Sequence, residues 1–122
     1  MSIEEIKGLL EAGEIDRARA LLIALTDSDP DEARAWLLLA GISTRTQDWT
    51  LGETAFTALT RLRPSDALAS SGLVASLVGL HHYDRAREEI ARFGRVADRS
   101  KSSSSSVLQE HQEVLKRIGR GA

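Results

Sequence analysis

Leu80-His81-His82-Tyr83-Asp84 sets two imidazoles beside a carboxylate, side-chain types that ligate zinc or relay protons. Adjacent histidines cannot both face one point on a helix, and the remaining histidine, His111, is far along the chain. A closed zinc site takes about four ligands at defined spacing, so this cluster reads as a turn between helices. DSDPDE places Asp27, Asp29 and Asp31 like the opening of a calcium loop. That loop needs glycine at its sixth position and glutamate at its twelfth; Glu32 and Leu38 stand there instead. The segment reads as a turn and a helix start, with Asp29 as cap, Pro30 at the first helical position and Glu32 completing a capping-box spacing.

No glycine-rich phosphate loop, nucleophile elbow or paired-carboxylate cleft is present in the sequence. It contains no cysteine, which removes disulfides, thiol catalysis and cysteine zinc sites and fits a reducing compartment. The expectation is a non-enzyme with no catalytic residues, no metal and no cofactor. SKSSSSS, residues 100 to 106, is open between a flexible linker and the poor first turns of a terminal helix. Its hydroxyls are conceivable phosphorylation sites, with nothing in the sequence to favour that use. Arg85, Arg87, Arg92 and Arg95 alternate with Glu88 and Glu89, so they pair at helical spacing and make a weak nucleic-acid surface.

Composition sets the class: 42% apolar and 28% charged over 122 residues suits one soluble domain. No apolar run approaches the ~18 residues of a membrane span, and acids stand where a secretory leader would carry bases. The chain therefore reads as cytoplasmic, with no membrane insertion. Residues 1 to 32 hold nine acids and three bases, a net −6, whereas residues 67 to 122 hold six and nine, a net +3. That polarity is either ordinary helix surface or a means of orienting a partner or a second copy.

The elements that would position these groups are helices. Ile3, Ile6, Leu9 and Leu10, then Ile15, Ala18, Leu22 and Leu25, then Trp36, Leu39 and Ala40 recur at steps of three and four, with no strand-like alternation. Helices are expected over residues 3–12, 15–27, 31–46, 49–62, 66–80, 83–97 and about 104–118, and Gly13 ends the first through its access to the left-handed conformation. GEIDRAR at Gly13 and HHYDRAR at His81 are separated by two steps of 34 residues. The same step aligns Ile15, Trp49 and Tyr83; Ala18, Gly52 and Ala86; Leu22, Phe56 and Ile90; Leu25, Leu59 and Phe93; and Pro30, Pro64 and Asp98. Bulky columns seal a core, and the small column lets helices approach closely.

With Trp36, Leu39 and Ala40 as the large, leucine and small positions of a first helix, and GEIDRARALL, DWTLGETAF and HYDRAREEI as second-helix openings, residues 2 to 98 resemble the tetratricopeptide repeat family. The resemblance implies an all-α, right-handed solenoid of antiparallel hairpins. It is a single domain over residues 1–122, with repeats at about 1–30, 31–64 and 65–98 and a capping helix near 104–118. Departures are Ser70 in the place of Trp36, a first repeat short at its front, and Asp98 for proline.

By the same resemblance, first helices line a concave groove whose positions here are Ile3, Lys7, Leu10, Leu37, Gly41, Thr44, Arg45, Leu68, Ser71, Gly72, Ala75 and Val78. Some members grip an acidic tail with lysine, arginine and asparagine. This chain has no asparagine and offers only Lys7, Arg45 and Arg34 on that side. An apolar groove with few bases suits an extended or helical protein segment whose side chains enter shallow pockets between Leu37, Gly41, Leu68 and Ala75. In character and repeat number it is similar to the small chaperones of bacterial secretion systems within the family. The function expected is a non-catalytic protein-binding module, an adaptor or chaperone. The alternative is a structural protein that self-associates into a homo-oligomer through its end repeats and cap.

Overall fold

The apolar spacing resolves into seven α-helices in the computed structural model, which describes residues 1–121: α1 (Ile3–Glu11), α2 (Ile15–Ser28), α3 (Ala33–Thr46), α4 (Trp49–Leu62), α5 (Ala67–Gly79), α6 (Tyr83–Val96) and α7 (Ser102–Gly121). No strand occurs among the described residues. Three hairpins, α1/α2, α3/α4 and α5/α6, stack side by side, and α7 closes the array against α5 and α6. The architecture is an all-α solenoid.

One backbone device closes all three hairpins. Gly13, Gln47 and His81, 34 residues apart, take left-handed φ values of 82°, 54° and 62°. The residue after each donates its N–H five residues back: Glu14 to Leu9 at 2.9 Å, Asp48 to Ser43 at 3.0 Å and His82 to Leu77 at 2.8 Å. These are Schellman closures. Only the first uses glycine, which adopts this conformation without steric cost.

The proline turns between hairpins differ from the sequence reading. α3 begins at Ala33 with Glu32 as its N-cap, its carboxylate accepting from the Arg34 N–H, so Pro30 and Asp31 stay outside the helix. The Pro30 carbonyl accepts from Trp36 Nε1 at 2.7 Å and from Arg61 Nη2 at 2.9 Å, which bolts the turn to α3 and α4. One repeat later, Asp66 caps α5 and the Pro64 carbonyl accepts from Arg92 Nη1 at 2.8 Å. Thus an arginine of each following second helix reaches back to the preceding turn. At the third position the Asp98 carboxylate accepts from the Ser100 hydroxyl at 2.6 Å and its N–H at 3.0 Å, and those bonds hold its carboxyl below the usual range.

Core packing follows the columns. Leu22, Leu39, Ala55 and Leu59 centre a cluster over α1–α4 that reaches Ala69 of α5, while Leu73, Leu77, Ile90, Val114 and Ile118 centre a second over α5–α7 with Phe56 of α4 against it. Each leucine, isoleucine or valine among them contributes about 1.5–3 kcal/mol on full burial. Ala18, Gly52 and Ala86 are all buried. A Cβ on Gly52 would stand 2.3 Å from Ser76 Oγ, so a larger residue there would force the Ser76 hydroxyl to rotate away and tighten the contact between α4 and α5. Trp49 and Tyr83 are half-buried, Trp49 against Gly79 and Tyr83 against the second cluster.

The serine run is helical. α7 starts at Ser102, and Ser104 is buried on the stripe that continues through Val107, His111, Val114 and Ile118. Small side chains let the helix begin close against its neighbours, so packing overrides the weak helix propensity of serine. Ser70, at the position of Trp36 one repeat earlier, is fully buried with His111 of α7 against it in place of a large residue on α5.

Candidate protein-binding groove

α5 is the wall of the candidate site. It carries no charged residue and is flanked by α4, α6 and α7, as a helix apolar on all sides must be. Ser71, Ala75 and Val78 of the expected groove line a cleft of about 380 Å³ with Trp49, Val74, Gly79 and three residues of α7: Glu110, Val114 and Arg117. A smaller cleft of about 170 Å³ adjoins it, sharing Val78, Val114 and Arg117 and adding Tyr83 and Ile118. Ser71 Oγ donates to Glu110 Oε1 at 2.6 Å, so α7 is fastened along one side of this cleft.

The other expected groove residues separate. Leu37, Gly41, Thr44, Arg45 and Lys7 are exposed. Leu37 is 45% accessible, the Thr44 hydroxyl is spent on the Ala40 carbonyl, and Lys7 lies 3.5 Å from Glu4. Leu68 is 71% accessible but belongs to a different cleft of about 320 Å³, at the start of α5 beside Arg63, Lys101 and Ser103. The pocket expected between Leu68 and Ala75 is therefore divided between two clefts.

Three residues turn away from the groove. Ile3 is buried beside Ile6, because the nine-residue α1 must cover the core with few side chains and Ile3 shares the inward face at a step of three. Leu10 is half-buried against the same cluster. Gly72 faces α4: a Cβ on it would lie 2.2 Å from the Phe56 ring. Trp49, Val74, Gly79, Glu110, Val114 and Arg117 line the cleft but are missing from the expected groove. The stripe of α7 was visible in sequence, but the side of α5 it covers was not.

Electrostatics around the groove are muted. Arg34 is held by Glu32 through bonds of 2.9 and 3.0 Å, which lower the Glu32 carboxyl and raise the Arg34 guanidinium from their ordinary values. On the opposite side, a cleft of about 500 Å³ contains Arg61, Arg85, Arg92 and Arg95 with Glu88 and Glu89. Most of that charge is internally paired: Arg61 with Asp31, Arg85 with Glu53, and Arg92 with Glu89. No cluster of three potential metal ligands occurs among the described residues. No helix among them is long and apolar enough to cross a membrane.

A tetratricopeptide repeat family model matches residues 3–67, more than half of the chain. The chain belongs to the tetratricopeptide repeat family. No curated protein sequence matches it. Among solved structures, this tetratricopeptide repeat protein is similar to the first such domain of human RPAP3, with 17% identity and a TM-score of 0.66 over 98% of this chain and 94% of that one. It is also similar to the first repeat domain of Spaghetti (RPAP3) bound to the HSP90 peptide SRMEEVD, with 18% identity and a TM-score of 0.64 over 93% of this chain and 89% of that one. At such identities the likeness concerns the fold.

Proposed function

We propose that the protein is a non-catalytic adaptor or chaperone of the cytoplasm that holds a segment of a partner protein along its concave side. The observation that carries this reading is the cleft walled by Trp49, Val74, Ala75, Val78 and Val114, an apolar recess suited to one or two side chains of a docked segment. Leu37 on α3, outside that cleft, is a further exposed apolar side chain that a longer segment could cover. That a domain of the same fold carries an HSP90 peptide supports a peptide as ligand. The chain has no asparagine, and Arg34 is occupied by Glu32, which weighs against a grip on an acidic tail by lysine, arginine and asparagine.

The test uses a partner first identified by co-purification and then purified. Leu37→Glu and Ala75→Glu, each at an exposed position, should abolish its binding in titration calorimetry while far-ultraviolet circular dichroism stays unchanged. Binding that survives both substitutions puts the partner elsewhere on the molecule.

A further inference from the structure

Ser70, Glu89 and His111 come from α5, α6 and α7 and meet in the interior at 0%, 6% and 1% accessibility. Ser70 Oγ donates to Glu89 Oε2 at 2.7 Å and lies 2.9 Å from His111 Nε2. A hydroxyl has one proton. With that proton directed at Glu89, Ser70 Oγ meets His111 as an acceptor, which assigns the imidazole hydrogen to Nε2 and leaves a bare lone pair on Nδ1. Nδ1 is buried and has no hydrogen-bond partner. The ring stands edge-on to Phe93, with centroids 5.8 Å apart and planes at 82°.

The charges facing His111 are already engaged. α5 supplies none. α6 supplies Glu89 and Arg92, joined to each other by bonds of 2.6 and 2.7 Å. α7 supplies Glu110, whose Oε1 is taken by Ser71. A proton on Nδ1 would therefore create a buried cation with a new donor and no acceptor, which is costly in the protein interior.

We infer that α7 is an acid-releasable cover: protonation of His111 at Nδ1 loosens it from α5 and α6 and uncovers the side of α5 that carries Ser71, Val74 and Val78. This rests on the buried triad, not on the identity of any groove ligand. Burial holds the His111 imidazole below its ordinary value, outweighing the opposing attraction of Glu110 and then Glu89. The sign follows: the docked helix favours neutral His111, and a released one takes its proton near about pH 6.5. Docking is thus complete above about pH 6.5 and weakens as pH falls, by up to about tenfold at about pH 5.5.

Amide hydrogen exchange of the wild-type chain tests this at about pH 7.5 and about pH 5.5, with correction for intrinsic exchange rates. Protection of Val107 through Ile118 should fall by up to about tenfold between those values, while protection in α2 and α3 holds. His111→Phe keeps a ring against Phe93 and cannot be protonated, so its α7 protection should not respond. Should that variant fail to fold, the imidazole resonances of wild-type His111 decide, with a midpoint below about 6.5 expected. A midpoint at or above the ordinary value, α7 protection unchanged in the wild type, or an equal loss in wild type and His111→Phe overturns the inference.

Discussion

The Trp49 indole occupies the space that a side chain on Gly79 would need: a Cβ there would stand 2.6 Å from its ring. This contact joins the first residue of α4 to the last of α5 and forms the floor of the candidate groove. Gly79→Ala should displace the indole and destabilise the protein by about 1–3 kcal/mol, the usual cost of overpacking. Urea unfolding measures the loss. Because Trp49 moves, the emission maximum of the native state should shift too, with the contribution of Trp36 unchanged.

Gln47 and His81 hold a conformation that suits glycine, as Gly13 demonstrates at the same position of the first hairpin. Replacing either by glycine should raise stability by about 0.5–1 kcal/mol, since relief of the left-handed strain outweighs the added freedom of the unfolded chain. Gly13→Ala should lower it by about 1 kcal/mol. Thermal melts of the three variants test the whole column, and a loss of stability in both glycine variants contradicts it.

Glu89 accepts from Ser70 and from two nitrogens of Arg92 while almost fully buried. Those bonds raise the Arg92 guanidinium further above its ordinary value. Arg92 in turn reaches the Pro64 carbonyl, so removal of Glu89 loosens both α6 and the turn before α5. Glu89→Ala should cost about 1–3 kcal/mol, because it leaves the buried Ser70 hydroxyl without its acceptor and removes the partner of the partly exposed Arg92. Glu89→Gln retains an acceptor for Ser70 and should cost less. Chemical denaturation of both variants provides the comparison.

The amino-terminal capping box should fail in acid. Ser2 Oγ accepts from the Glu5 N–H, and Glu5 Oε1 accepts from the Ser2 N–H, each at 3.2 Å. The backbone bond from Ser2, followed by its side-chain bond, holds the Glu5 carboxyl below its ordinary value. A depressed carboxyl stabilises the helix above its unfolded value, and the effect is lost as pH falls through the folded one. Hydrogen exchange in α1 should accelerate over that acid range after correction for intrinsic rates. In Ser2→Ala that response should be smaller, because both of the bonds that depress Glu5 depend on Ser2 or its position.

Much of the fold could be read along the chain because its causes are local. Apolar steps of three and four, glycine at a hairpin end and proline between hairpins act within about one helical turn, so seven helices and the 34-residue period emerged with small errors at their ends. Those errors have local names as well. Pro30 falls outside α3 because its carbonyl is claimed by Trp36 and by Arg61 from the next helix, a partner that no single helix reveals. The serine run, open in sequence between a linker and the first turns of the last helix, is settled as helix by the burial of Ser104 against neighbouring helices.

The groove was legible only in part, because a residue's face depends on what packs beside its helix. Ile3 follows Ile6 inward, Gly72 is taken by Phe56, and Leu68 lies in another cleft from Ala75. The helices could be read from side chains a few residues apart, and the columns from the same local pattern written again every 34 residues. Tertiary structure alone decided that α7 lies along α5 and that Ser70, Glu89 and His111 meet, because residues 41 apart are brought together only when separate helices bury a shared surface.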